Sequence, residues 1–154
     1  MPRPRFGAKL ERMKPFEILL VEDNPGDVTL TREAFLEGKL AHHLSIAGDG
    51  EEAMDFLQRK GGHAGAPRPD LILLDLNLPK KDGREVLADL KNDPNLRHIP
   101  VIVLTTSEAE IDIWNAYKLH ANCYLTKPIQ MDEFFTKIRM VEDFWLTVVR
   151  LPAR

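Results

Sequence analysis

One cysteine, Cys123, stands in a chain of 154 residues. No disulfide framework within the chain can therefore hold the fold, and stability has to come from a packed apolar core. No apolar run approaches the about 18–20 residues that cross a bilayer, and the first residues lack the apolar stretch of a secretory leader. Those two absences place the chain in the cytoplasm as an expectation, with no membrane partner. The five histidines, at 42, 43, 63, 98 and 120, show no metal-ligand spacing, so zinc is disfavoured. GxxxxGK[ST] is missing, which excludes a P-loop nucleotidase, and no GxGxxG follows the first apolar run, which disfavours dinucleotide binding. There is no solenoid-period repeat and no low-complexity tract. What is present is 44% hydrophobic and 29% charged residues, the balance of a globular domain.

Charge is unevenly spread. Residues 1–15 carry five basic residues and one acidic, a net of +4, while the rest carries 16 basic and 23 acidic, a net of −7. The basic arm is read as a frayed terminus, since Phe6 is its only aromatic. The acidic body is the wrong sign for a phosphate backbone, so DNA is not an expected partner.

From Phe16 the pattern alternates. Glu17–Val21 reads as a buried strand, followed by a helix to about Lys39 with Asn24 as its cap, Pro25 in its first turn and Val28, Leu30, Thr31, Phe35 and Leu36 as its apolar face. His42–Ala47 is a second strand, and Gly50 to about Lys60 a second helix on Ala53, Met54, Phe56 and Leu57. GGHAGAPRP, residues 61–69, reads as a flexible loop. Asp70–Leu74 is a third strand with both faces apolar, and Gly83–Asn92 a third helix on Val86, Leu87 and Leu90. Pro100–Leu104, Glu108–His120, Cys123–Thr126 and a long helix from Met131 to about Val149 complete the pattern. Five βα units predict a doubly wound α/β fold, a five-stranded parallel sheet with an extended C-terminal helix. The expected division is a basic arm at 1–15, one domain at 16–142, and a helix extension and tail at 143–154.

In such a sheet the residues after each strand meet at one rim. Here they are Glu22 and Asp23, then Asp75, then Thr105, Thr106 and Ser107, then Lys127 and Pro128. Three carboxylates repel one another, and a hard divalent cation, Mg²⁺ or Mn²⁺, relieves that with oxygen ligands. Lys127 supplies a point charge for an anion and Thr105 a hydroxyl donor. Metal, ammonium and hydroxyl around a carboxylate suit phosphoryl transfer, with Asp75 as nucleophile. Asp82 is assigned to the turn or to the start of the third helix.

This set, Glu22-Asp23, Asp75, Thr105 and Lys127-Pro128, resembles the receiver domain of two-component response regulators, from about Phe16 to Glu142. The intervals of 30 residues from Asp75 to Thr105 and 22 from Thr105 to Lys127 fit that family, as do Pro79 and Gly83. The resemblance implies a flavodoxin-like fold and phosphorylation of Asp75 by a sensor histidine kinase. It implies metal ligation by Asp23, Asp75 and the Asn77 backbone carbonyl, with Glu22 acting directly or through water. It implies Lys127 on the phosphoryl oxygens with a cis peptide to Pro128, and a coupled movement of Thr105 and Tyr124 as the switch. ANCYLTKP, the 61–69 loop and FWLTVVRLP are similar to the stand-alone regulators paired with bacterial and cyanobacterial phytochromes.

The sequence departs from the family pattern in three places. Glu22 stands where aspartate is commoner. Thr106 takes a place often held by alanine or glycine, and its bulk is expected to slow phosphate loss. No glycine precedes the fifth strand. On the last helix Phe134, Ile138, Val141, Trp145 and Val148 form one stripe, while Phe135 and Phe144 lie off it. With Trp114 and Tyr117 on the fourth helix they mark an expected homodimer or partner face of fourth helix, fifth strand and fifth helix.

Rival readings are weighed on the same residues. A haloacid-dehalogenase-like phosphatase needs an acid two positions after its nucleophile, and Asn77 stands there, so the chain is not expected to be an enzyme on external substrates. A pseudo-receiver, a binding module without phosphorylation, is the alternative, opposed by Asp75, Lys127 and the acidic pair. About ten residues follow Asp143, so output is expected through proteins: a kinase, a phosphotransfer protein or a second copy.

Overall fold

The computed structural model describes residues 15–38, 41–105, 123–126, 132 and 136; for Thr105 and 123–126 it is the backbone course that is described. Its elements are β1 (Phe16–Val21), α1 (Pro25–Leu36), β2 (His42–Ala47), α2 (Gly50–Gln58), a short 3-10 helix (Gly61–His63), β3 (Leu71–Asp75), α3 (Gly83–Asn92), β4 (Val101–Thr105) and β5 (Cys123–Thr126). The strands form one sheet in the order β2-β1-β3-β4-β5, and each neighbouring pair is parallel. This is the flavodoxin-like order, with its reversal between β1 and β3.

The all-apolar runs follow from this layering. Alternate side chains leave a strand on opposite faces, and here both faces are covered. Leu19, Val21, Ile72, Leu74, Val101 and Val103 join α2 and α3 in one core, with Ala53, Leu57, Val86, Leu87 and Leu90. Ile18, Leu20, Leu71, Leu73, Ile102 and Leu104 join Ala34 and Phe35 of α1 in the other. A polar residue at any of these positions would lose its water without gaining a partner.

Each helix start has a local cause. Asn24 accepts a hydrogen bond from the Asp27 N–H at 3.0 Å, with proline in the first turn of α1. Asp49 does the same for Glu52 at 2.8 Å. Asp82 and Glu85 cap α3 reciprocally, so Asp82 belongs to the helix start as expected.

Three expectations are corrected. α1 ends at Leu36, which is 70% exposed, and Ala34 takes the buried place beside Phe35. β3 and β4 each begin and end one residue later than read, so Asp75 is the last residue of its strand and not the first of a turn. The 61–69 segment is better fastened than its glycines imply. Arg59 Nε donates to the Ala66 carbonyl and an Arg68 guanidinium nitrogen to the Leu57 carbonyl, both at 2.9 Å. The expected fourth helix lies outside the described residues. So does the last helix, apart from Asp132 and Thr136, whose hydroxyl donates to the Asp132 carbonyl at 2.9 Å.

Candidate functional site

Two strands deliver the site. β1 and β3 run side by side with Val21 opposite Leu74, so Glu22 and Asp75 are next in register at the point where strand order reverses. Open α/β sheets leave a crevice there. Glu22 is 2% exposed and Asp75 5%, while Asp23 faces solvent. One carboxylate oxygen from each of the three lies within 4.8 Å of the others. Glu22 Oε2 accepts the Asn24 N–H at 3.3 Å. Asp75 Oδ1 accepts the Asn77 N–H at 3.1 Å.

Two buried carboxylates and one open to solvent form a set of hard oxygen donors, the chemistry Mg²⁺ and Mn²⁺ select. The donor set fits such an ion, with the exposed Asp23 leaving a route in from water.

The loop after Asp75 is held tightly. A Cβ at Gly83 would stand 2.2 Å from the Asp75 carbonyl oxygen and 2.6 Å from Leu76 Cα. Only glycine lets α3 begin this close to the phosphoacceptor candidate. The Gly83 N–H donates to the Leu76 carbonyl at 3.1 Å, and the Leu76 N–H to the Leu104 carbonyl at 3.3 Å. Lys81 ends the loop with its ammonium 2.7 Å from Asp89, and that hydrogen bond raises its pKa above the usual lysine value.

Asp75 is opposite Leu104 on β4, and Thr105 is opposite Thr126 on β5. The backbone thus carries Thr105 to the same rim as Asp75. Tyr124 is opposite Val103 within β5. Thr106, Lys127, Pro128, Trp114, Tyr117, Phe135, Phe144 and Trp145 lie outside the described residues. Sequence reasoning missed Asp49 and Gly50, which reach the same loop from the β2–α2 corner, and Lys80, which meets Asp49 from the loop itself. A glycine after a capping aspartate was the one available signal.

Residues 18–139 match the family model described as "Response regulator receiver domain". The chain belongs to this receiver family. The response regulator Rcp1 of Synechocystis sp. is 52% identical over 143 residues, 93% of this chain and 97% of that protein. A probable methanogenesis regulatory protein, FilR2 of Methanothrix harundinacea, is 41% identical, over 96% of this chain and 94% of its own. Among solved structures, the phosphorylated cyanobacterial phytochrome response regulator RcpA superposes with a TM-score of 0.86 at 50% identity, covering 91% of this chain and 100% of its own. The Mn²⁺-bound form of Rcp1 superposes at 0.85 with 52% identity, over 90% and 100%. The receiver described here thus resembles the phytochrome-associated regulators along nearly their whole length. Among its described residues no helix is long and apolar enough to cross a membrane.

Proposed function

We propose that this receiver is a single-domain response regulator that takes a phosphoryl group onto Asp75 from the phosphohistidine of a phytochrome-type sensor histidine kinase, in a reaction that depends on Mg²⁺ or Mn²⁺. The observation that carries the reading is the convergence of the Glu22, Asp23 and Asp75 carboxylates at the switch point of the sheet. That relatives include a phosphorylated regulator and a Mn²⁺-bound one supports it.

The chemistry follows from the groups. An Asp75 carboxylate oxygen attacks phosphorus and the P–N bond breaks. Its electron pair stays on the ring nitrogen, the other ring nitrogen carrying the proton that makes imidazole a neutral leaving group. Phosphate loss is the converse: water attacks phosphorus, the P–O bond to Asp75 breaks, and the carboxylate leaves with the electron pair. A divalent ion held by Glu22, Asp23, Asp75 and the Asn77 carbonyl would supply charge neutralisation for the incoming phosphoryl oxygens. Asn77 N–H donates to Oδ1 of Asp75 and so restricts how the nucleophile can turn. Lys127 and Thr105 take the phosphoryl oxygens, and Thr105 with Tyr124 carries the change to the surface.

The proposed domain spans 16–142, with the basic arm before it and a helical extension after it, in the cytoplasm. Its transfer chemistry is confined to its own aspartate. Output runs through protein contacts: the kinase, a phosphotransfer protein, or a second copy docked through Trp114, Tyr117, Phe135, Phe144 and Trp145. Light scattering on protein ending before Phe144 tests the last point, since persistent dimers would remove that region from the interface.

The deciding experiment is intact mass after incubation with Mg²⁺ and a small acyl-phosphate donor. One phosphoryl adduct on wild type and none on Asp75→Asn is the expected result. No adduct on either folded protein would replace this reading with that of a pseudo-receiver.

A further inference from the structure

The loop that starts at Asp75 is gripped from a corner of the molecule that contributes nothing to the acidic cluster. Lys80 has a φ of 66°, a left-handed conformation that non-glycine residues rarely adopt. Such a conformation persists only where the surroundings over-determine it. Two contacts with the β2–α2 corner meet the loop there, a close backbone packing at Lys81 and an ion pair to the exposed Lys80 side chain. A Cβ at Gly50 would stand 1.9 Å from the Lys81 carbonyl oxygen and 2.6 Å from Lys81 Cβ, so the first turn of α2 seats directly on the loop backbone. Beside it, Asp49 works in two directions. Its Oδ1 caps α2 through the Glu52 N–H at 2.8 Å, and its Oδ2 lies 3.6 Å from Lys80 Nζ. One carboxylate thereby ties a helix start to the strained residue of the loop.

At its far end the same loop is closed by Gly83 against Asp75 and Leu76. Between the two closures lies Asn77, whose N–H holds Asp75 Oδ1. We propose that Asp49, Gly50 and Lys80 form a latch that sets the β3–α3 loop, and through the Asn77 amide the orientation of the Asp75 carboxylate. These are positioning residues, and the assignment rests on Asp75 being the phosphoacceptor.

The latch and a simple field effect predict different signs. The phosphodonor is an anion. If Asp49 and Lys80 acted by charge alone, losing the anion would speed phosphoryl uptake and losing the cation would slow it. If they act as a latch, losing either slows it. Asp49→Asn is the clean variant, because asparagine caps a helix as well as aspartate does while its charge toward Lys80 is gone.

The experiment is the rate of phosphoryl uptake from the acyl-phosphate donor with Mg²⁺, read by intact mass, alongside the thermal midpoint of each protein. Asp49→Asn and Lys80→Ala are each expected to slow uptake by roughly two- to fivefold, with the double variant no slower than either and Lys80→Arg restored to wild type. Gly50→Ala, which forces the loop outward, is expected to slow it roughly tenfold. Thermal midpoints of the two charge variants stay near wild type. Equal uptake in wild type, Asp49→Asn and Lys80→Ala overturns the latch. So does faster uptake in Asp49→Asn, or a loss of rate that merely tracks a loss of folded protein. Absence of any adduct on wild type overturns the phosphoacceptor reading itself and the latch with it, so the two failures are told apart.

Discussion

β3 is bracketed by two aspartates that share a residue type and nearly a degree of burial, Asp70 at 8% exposed and Asp75 at 5%. Their surroundings are opposite. Asp70, at the amino end, is tied to the backbone of β1: its Oδ2 accepts the Glu17 N–H at 2.9 Å, and its own N–H donates to the Glu17 carbonyl at 2.7 Å. Asp75, at the carboxyl end, is gathered with two further carboxylates. One aspartate closes a ladder by supplying an acceptor where the strand pairing starts. The other accumulates like charge where the fold leaves a crevice. Asp75 too accepts a backbone N–H, from Asn77 at 3.1 Å, so neither burial nor a backbone donor tells the two apart; the like charge gathered around Asp75 does.

The largest effect expected from breaking this comparison is chemical. Asp75→Asn should abolish the phosphoryl adduct, and in metal-free buffer should leave stability unchanged or improved, since it removes a charge from a repelling set. Asp70→Ala should keep the adduct and lower stability by about 1–3 kcal/mol, the cost of leaving the Glu17 amide without that acceptor. Intact mass and urea denaturation on both proteins check the pair. Loss of the adduct in Asp70→Ala at full folding would erase the distinction.

A divalent ion should sharpen it further. Mn²⁺ or Mg²⁺ at about a hundred times its dissociation constant would stabilise wild type by about 2.7 kcal/mol through binding to the folded state alone. Asp75→Asn and Asp23→Asn should lose most of that gain, and Asp70→Ala should keep it. Thermal melts with and without the ion, and with chelator, provide the measurement.

How far these two aspartates could be told apart beforehand depends on which physics writes itself into sequence. The sheet was legible because burial on both faces forces uninterrupted aliphatic runs, and the runs at 71–74 and 101–104 cannot be mistaken for amphipathic helix. Asn24-Pro25 announced a helix start, and the alternation placed Glu22, Asp23 and Asp75 on one rim. Asp70 was legible only as part of a strand, because its partner is a backbone amide 53 residues away and backbone amides carry no sequence signature. The same applies to Gly50 and Gly83: closeness of one backbone to another is invisible until the layers are stacked. Leu36 shows the opposite error, an apolar residue at helical spacing that the end of α1 leaves exposed. The 61–69 segment shows a third, since the arginine-to-carbonyl bonds that fasten it come from residues whose partners composition does not reveal.

Access to the carboxyl end gives a smaller test. Thr106, outside the described residues, follows Thr105 in the sequence, and with Asp75 as the proposed phosphoacceptor its bulk is expected to hinder the water that removes the phosphoryl group. Thr106→Ala should shorten the lifetime of the phosphorylated protein by several-fold, about 1 kcal/mol or less of barrier, read as decay of the adduct by mass after the donor is removed. An unchanged lifetime would mean that Thr106 does not limit access.

The smallest effect concerns two lysines at the ends of α3, Lys81 just before it and Lys91 in its last turn, whose contrast repeats that of the aspartates with opposite charge. Lys81 meets a carboxylate, and its pKa is raised. Lys91 is drawn inward, with Nζ donating to the Arg97 and Ile99 carbonyls at 3.2 Å each, and desolvation by burial lowers its pKa from 10.5. For Lys91 the unfolded chain holds its proton to higher pH than the folded one. Its contribution therefore opposes folding fully below the lowered value and is relieved as pH rises from there to 10.5. For Lys81 the favourable contribution is complete below 10.5 and is lost only as pH climbs past that to the raised value. Urea denaturation from neutral pH to 10.5 should show a rising component in wild type that Lys91→Met removes and Lys81→Met leaves in place. If Lys91→Met leaves the pH slope as it was, the two carbonyls compensate the buried ammonium and the contrast between the lysines disappears.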